Sequence, residues 1–391
     1  MQSRKRLVKK MHETKTVLLI KGASQYDAMR NYLDEIADGF QQIGYQSVVI
    51  DAEHDFFSQE YKMATETFHI DYAFTCNANF YQDCRDLGNA RYVTYLCDHP
   101  AQHRDRLKKL DEDAVVFVCD LLHIPYIRKY YPNIKHVCFI PTSGSYSKTY
   151  IPYKDRKYDV VFNGSYYEPK ELYEKIIEQY QGVLKQFVQQ MIQEMEEQSW
   201  LTIEQCLEVV LNKNHIQVSD EEFDELVAEF WRVSYYARFY YRDKVIHTLT
   251  KNGIKIHVFG NGWGDFVGND AANLIWEKGD YLAAREAVAN AYISLNTQPW
   301  FKGGFQERIA SAMLSGTVAV TDDSLYIDEN FTDQELCTYS LEKLEELPEL
   351  IKSLLEDKEW AEKIAKKGKK RAQEELSWQV LTKDMVRYLE N

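Results

Sequence analysis

The first 150 residues alternate between short apolar runs and longer mixed segments. The runs are Val17 to Ile20, Val48 to Ile50, Tyr72 to Phe74, Tyr92 to Cys97, Val115 to Cys119 and His136 to Ile140, all rich in β-branched and aromatic residues. Continuous apolar runs of this length, separated by helical segments, predict the strands of a parallel sheet covered on both faces. Between the first two runs, Met29, Leu33, Ile36, Ala37, Phe40 and Ile43 recur at helical spacing. The polar stretch Ser143 to Lys157 reads as a linker. Strand-like runs resume at Tyr158 to Phe162, Ile254 to Phe259, Ala291 to Leu295 and Val318 to Thr321. About 80 residues of helical sequence separate the first two of these, with Leu172, Ile176, Tyr180, Leu184, Phe187 and Met191 forming one apolar stripe. Ser219-Asp220-Glu221-Glu222 has the pattern of a capping box.

The expected fold class is therefore α/β, with two Rossmann-like doubly wound domains and a helical insertion in the second. The boundaries predicted are a first domain over 1–155 and a second over 156–376, the insertion occupying about 166–248. A terminal helix over 377–391 is expected to cross back onto the first domain. After Leu376-Ser377-Trp378, its stripe of Val380, Leu381, Met385, Val386 and Leu389 needs a docking surface, because so short a helix is marginal alone in water.

The chain's 391 residues suit two α/β domains. Its 61 acidic side chains against 47 Lys and Arg give a formal charge of −14, which argues against nucleic acid as a partner. The dense basic run Arg4-Lys5-Arg6 with Lys9-Lys10 reads as a solvated leader, with peripheral contact to a membrane surface as the alternative. No apolar run is long enough to span a membrane. The seven cysteines include no C-x-x-C pair, which suits a reducing cytoplasm better than a disulfide framework.

Parallel sheets bind ligands outside the carboxyl ends of their strands, so chemistry is sought there. After Phe259 comes Gly260-Asn261-Gly262-Trp263-Gly264, which fits either a tight turn or backbone that approaches a diphosphate closely. After Leu295 the chain reads Asn296-Thr297-Gln298-Pro299-Trp300-Phe301-Lys302-Gly303-Gly304-Phe305-Gln306-Glu307-Arg308. A strand end, a Gly-Gly pair and a charged pair thus lead into a helix start, which suits phosphate oxygens. Lys302 and Arg308 would add positive charge and Glu307 would accept from sugar or ribose hydroxyls; the competing reading is a surface ion pair capping the helix. Asp98-His99-Pro100 ends a strand of the first domain, where a base or a hydroxyl-orienting group is useful; a helix-capping Asp is the competing reading. Cys97, Asp98, His99 and His103 resemble metal ligands by type, but neighbours at a strand end point to opposite sides, which argues against a tetrahedral site. No metal is expected. P-loop, G-x-S-x-G and H-E-x-x-H motifs are absent, and the first strand lacks a dinucleotide-binding G-x-G-x-x-G.

Taken in order, these segments resemble the donor-site signature of bacterial group 1 glycosyltransferases, and within them the spore-maturation CgeB-type family. The residues concerned are Ile293 to Asn296, Trp300, Gly303 to Ile309, Met313 to Gly316 and Thr321-Asp322. Tyr95 to Pro100, Phe139 to Pro141, Phe162 to Ser165 and Val258 to Trp263 match the same group in the same order. The resemblance implies a GT-B fold, a nucleotide-sugar donor bound as substrate in the second domain, and no required metal or other cofactor. It implies Asp98, His99 and Glu307 as catalytic candidates. The donor would meet Gly164, Ser165, Lys170, Gly260, Asn261, Gly262, Trp263, Asn296, Trp300, Lys302, Gly303, Gly304, Glu307, Arg308 and Ser311. Two departures stand out. Ser311 occupies a position where relatives carry a ribose-gripping Glu, and Ser165 one where retaining relatives carry Arg, although Lys170 keeps the Lys five residues on. Many relatives also carry His or Asn in place of Phe305 or Gln306. The expectation is metal-independent transfer of a sugar to an acceptor that is a glycan, a protein or a small molecule. The alternatives are a catalytically degenerate scaffold or partner subunit, motivated by Ser165 and Ser311, and a nucleotide-sugar epimerase.

Overall fold

The computed structural model describes residues 14–24, 28–266 and 272–390. The basic run Arg4 to Lys10 lies outside the described residues. The chain divides into two compact units, one up to Ser143 together with Glu375 onward, the other Gly144–Glu374.

The first unit holds six parallel strands, β1 (Thr16–Lys21), β2 (Gln46–Asp51), β3 (Tyr72–Cys76), β4 (Arg91–Leu96), β5 (Val115–Val118) and β6 (His136–Phe139), in the order β2-β1-β3-β4-β5-β6. Val17, Leu18, Leu19, Phe74, Leu96 and Phe117 are wholly buried, as strands covered on both faces require. Helix α1 (Ala28–Gln42) packs on β1 and β2, and the C-terminal helix Trp378–Glu390 packs on α1. The two helices approach closely at Gly39, where an added Cβ would stand 2.5 Å from Thr382 Oγ1.

The second unit also holds six parallel strands, β7 (Tyr158–Asn163), β8 (Ile256–Phe259), β9 (Leu274–Glu277), β10 (Ala291–Leu295), β11 (Val318–Asp322) and β12 (Cys337–Tyr339), in the order β12-β11-β10-β7-β8-β9. Succession runs outward from β7 to β9 on one side and from β10 to β12 on the other. The topological switch point therefore lies between β7 and β10, the crevice where such sheets take ligands.

The insertion comprises α2 (Pro169–Ile177), α3 (Gly182–Glu197), α4 (Ile203–Lys213), α5 (Asp220–Glu229) and α6 (Trp231–Lys251). Ser219 and Glu222 form the reciprocal capping box that their spacing predicts, and Thr202 with Gln205 forms a second. The polar stretch after Ser143, expected as a linker largely on the first-domain side, is strapped to the second unit. Ser147 donates to Glu286 at 2.7 Å, Tyr153 to the Tyr292 carbonyl at 3.1 Å, and Arg156 to the Ala291 carbonyl at 2.7 Å and to Thr317 Oγ1 at 2.8 Å.

Candidate functional site

The turns after β7 and β8 are pressed together. The Gly164 amide donates to the Phe259 carbonyl and the Tyr166 amide to the Asn261 carbonyl, both at 2.7 Å. A Cβ on Gly260 (φ 132°) would lie 2.5 Å from the Gly164 carbonyl oxygen, and one on Gly262 (φ 85°) 2.1 Å from that of Tyr166. These glycines are thus required by backbone contact between two turns, a structural demand that stands apart from any phosphate. Gly260→Ala is expected to cost on the order of 1–3 kcal/mol, because backbone must shift on both sides. Urea unfolding measures this, and an unchanged midpoint would contradict it. Trp263 is buried and donates its indole N–H to the Gly164 carbonyl at 2.8 Å, so its ring holds the turn and is not presented to a ligand. Asn261 is exposed, Ser165 half-buried, and Lys170 exposed in the first turn of α2.

On the other side of the switch point, the loop after β10 is anchored from beneath. Asn296 is buried, donates to Thr321 Oγ1 at 3.1 Å and accepts at its carbonyl from Tyr339 at 2.7 Å. Gln298 is wholly buried. Its backbone N–H donates to Asp322 Oδ1 at 2.6 Å, and its side-chain oxygen accepts from the Gln306 N–H at 2.8 Å. Gln298 thereby ties the end of β11 to the start of helix α7 (Glu307–Leu314). The Ser324 hydroxyl donates to the Gly304 carbonyl at 2.7 Å, which fixes the Gly303-Gly304 pair to the next loop. Glu307 and Arg308 are half-buried at the mouth of this loop, with Arg308 Nε 3.5 Å from Glu307 and its NH1 3.4 Å from Asn296 Oδ1. Lys302 donates to the Ser199 carbonyl of the insertion. A Cβ on Gly144 would stand 2.1 Å from Ser311 Oγ, so the strap passes over this position and the small serine leaves room for it.

Asp322 is 1% exposed and its Oδ2 has no hydrogen-bond partner. Burial pushes its carboxyl up to about 7, against the opposing pull of Lys302. A carboxyl with a higher pKa in the folded chain holds its proton more tightly there. Its contribution to stability is therefore full below 3.8 and is lost as pH rises through about 7. The loss expected over that window is on the order of 3–5 kcal/mol. Asp322→Asn keeps the acceptor for Gln298 and abolishes the titration. The stability difference between wild type and variant should therefore fall from pH 4 to pH 7, and a difference independent of pH would contradict the assignment.

In the first unit, strain marks the strand ends. Asn77, Ala78 and Phe80 after β3 have φ of 55°, 53° and 57°, uncommon for side chains of these types. Asn77 donates to Asp98 at 3.1 Å and accepts from the Cys97 N–H at 2.9 Å. His99 Nδ1 accepts from the Ala101 N–H at 3.2 Å, and its ring meets His123 and Tyr126 edge-on. With Nδ1 so occupied, neutral His99 carries its proton on Nε2. Asp98 does not cap the short helix Pro100–His103; His99 does. Buried His103, considered in the sequence only as a metal ligand by type, joins this cluster. Arg106 lies 3.0 Å from its Nδ1, which leaves Nε2 protonated and 3.9 Å from Asp98, and burial lowers its pKa to about 4. Asp98 is the carboxylate of this cluster, 3.1 Å from the Asn77 side-chain amide and 3.9 Å from His103 Nε2.

Residues 242–387 match the family model described as glycosyl transferase-like. The match spans a little over a third of the chain, from within α6 into the C-terminal helix. In solved structures, the chain is similar to sucrose-phosphate synthase from Thermosynechococcus elongatus, at 11% identity over 96% of this chain and 98% of that one, with a TM-score of 0.57. It is similar to Anabaena HepE in complex with UDP and glucose, at 12% identity over 96% and 99%, TM-score 0.55. It is also similar to an alpha-glucosyltransferase in complex with UDP-glucose and DNA containing an abasic site, at 11% identity over 96% and 99%, TM-score 0.61. The fold is that of the GT-B glycosyltransferases, with two Rossmann-like units. No curated protein sequence matches the chain. Among the described residues no helix is long and apolar enough to cross a membrane.

Three site residues escaped sequence reasoning: Gln298, Arg238 and Arg242. Arg242 is 2% exposed and donates to the Ser165 carbonyl. The guanidinium of Arg238 lies 3.9 Å over the Trp300 ring. Both come from α6, where Trp231, Tyr235, Tyr236, Phe239, Tyr240 and Tyr241 place aromatic rings all round the helix and hide which face is buried.

Proposed function

We propose that the chain transfers a sugar from a nucleoside-diphosphate sugar to an acceptor hydroxyl. The observation that carries this is the Rossmann strand order of the second unit. It sets the switch point between Gly164-Ser165 and Asn296-Thr297; Lys302 stands on the loop that leaves it, and Glu307 and Arg308 open helix α7 at that loop's end. The developing charge on the departing diphosphate would be met by Lys170, Lys302 and Arg308 and by the N-terminal dipole of α7, so no metal is required. Glu307 would accept from ribose or sugar hydroxyls in place of a carboxylate at position 311, and Asp98 would take the acceptor's proton. The UDP and UDP-glucose in the structures of the similar HepE and alpha-glucosyltransferase make uracil the first base to test.

UDP release from UDP-sugars in the absence of acceptor tests the reading. We expect slow hydrolysis that EDTA leaves unchanged. Loss of turnover in EDTA, restored by manganese or magnesium, would assign the leaving-group charge to a metal instead. Absence of release from every nucleotide sugar would favour the scaffold reading.

A further inference from the structure

We propose that Asn77, in the turn after β3, is the positioning residue that holds the Asp98 carboxylate for proton transfer, a role that rests on the assignment of Asp98 as the group that takes the acceptor's proton. In the first sheet, succession runs from β1 to β2 on one side and from β3 to β6 on the other, so its switch point lies between β1 and β3. The turns that flank it lie against each other. A Cβ on Gly22, after β1, would stand 3.1 Å from the Phe80 ring and 3.9 Å from Asn79 Nδ2. Asp98 follows β4, the strand paired with β3.

The turn after β3 is strained at Asn77, Ala78 and Phe80, and its backbone is committed to its own sheet. The amides of Asn77, Ala78 and Asn79 donate to the Tyr95 carbonyl at 3.0 Å, to Thr94 Oγ1 at 2.8 Å and to the Cys76 carbonyl at 3.2 Å. The carbonyls of Asn77 and Asn79 accept from Arg106 at 2.8 Å and from Tyr92 at 2.5 Å. These contacts over-determine the strained conformation, and what that conformation delivers is the Asn77 side chain.

The Asn77 amide is buried and has one orientation. Its Oδ1 accepts from the Cys97 N–H at 2.9 Å, and its Nδ2 donates to Asp98 Oδ2 at 3.1 Å with Met29 Sδ at 3.5 Å. Turning the amide over would set its oxygen against the carboxylate and its NH2 against an N–H donor. His103 Nε2, 3.9 Å away, faces the same Oδ2. Oδ2 is therefore held from within the unit, and among the described residues no donor is bonded to Oδ1. The Asp98 side chain is 41% exposed, so a substrate hydroxyl can reach it.

The test is the rate of UDP release, without acceptor, from the UDP-sugar that the wild-type full chain hydrolyses fastest, together with calorimetric UDP affinity. Asn77→Gly removes the amide and accepts φ 55° without strain. Asn77→Asp keeps the acceptor for the Cys97 N–H, but replaces the donor with a second carboxylate. Each should lower kcat by about 10- to 100-fold, the equivalent of one hydrogen bond to a charged group, and leave UDP affinity unchanged. Asp98→Asn should lower kcat by about 100-fold or more, and adding Asn77→Gly to it should cost nothing further, because Asn77 acts only through Asp98. Undiminished kcat in Asn77→Gly, or losses that simply multiply in the double variant, would make Asn77 a residue of the fold and overturn the proposal. A wild-type rate in Asp98→Asn would overturn the base assignment and this proposal with it, while the donor site would stand on UDP binding. Wild type that neither binds UDP nor hydrolyses any UDP-sugar would overturn all three.

Discussion

Trp378→Ala is expected to lower the unfolding free energy of the first unit by about 3–5 kcal/mol, the range for emptying a large aromatic site in a packed core. Trp378 is 1% exposed, its ring lies 5.5 Å from that of Tyr32, and it meets Tyr95 edge-on at 5.7 Å. Leu381, Thr382, Met385 and Leu389 follow it on the buried face. The close approach at Gly39 leaves these helices little freedom to collapse into the space, which places the cost toward the upper end. Urea unfolding followed by circular dichroism, with the two units' transitions fitted separately, measures the loss. A cost below about 1 kcal/mol would mean that the helix is a dispensable cover.

Arg308→Ala and Glu307→Ala are expected to lower kcat/KM for the donor by about 10- to 150-fold each, the equivalent of a charge-assisted hydrogen bond to a ligand. Among the described residues they pair with each other at 3.5 Å, and Arg308 reaches Asn296 at 3.4 Å, long contacts whose loss should leave the fold standing. Wild-type kinetics in both variants would make the pair a surface ion pair at the start of a helix. A raised KM with unchanged kcat in Arg308→Ala would place its contact in the ground state as well as the transition state.

The inner strands of the first unit, β1, β3, β4 and β5, were legible because they are buried on both faces and so read as unbroken apolar runs. The second sheet was legible only at its centre. Its edge strands, Leu274–Glu277 and Cys337–Tyr339, are only four and three residues long and have a neighbour on one side only, so their short apolar stretches do not stand out from the surrounding loops. The donor loop stood out through Gly303-Gly304 and the Glu307-Arg308 pair. The buried network beneath it did not, since Gln298 and Asp322 look like ordinary polar residues until Gln298 is seen to join Asp322 to the Gln306 N–H. The glycines at 260 and 262 fit a tight turn or a diphosphate equally in sequence, and the backbone of the neighbouring turn demands them by itself. Arg238 and Arg242 were invisible for a different reason: contact between a helix and loops more than 50 residues away leaves no periodicity in either segment.

Thermal unfolding of the whole chain in the presence of UDP tests the central claim most directly, because a ligand that binds only the folded second unit must stabilise it. At 100 times the dissociation constant, the stabilisation should reach about 2.7 kcal/mol, with UMP giving less and uridine least at equal concentration. A melting profile that UDP and the other nucleoside diphosphates all leave unmoved at millimolar concentration would show that the switch point between β7 and β10 is not a nucleotide-sugar site.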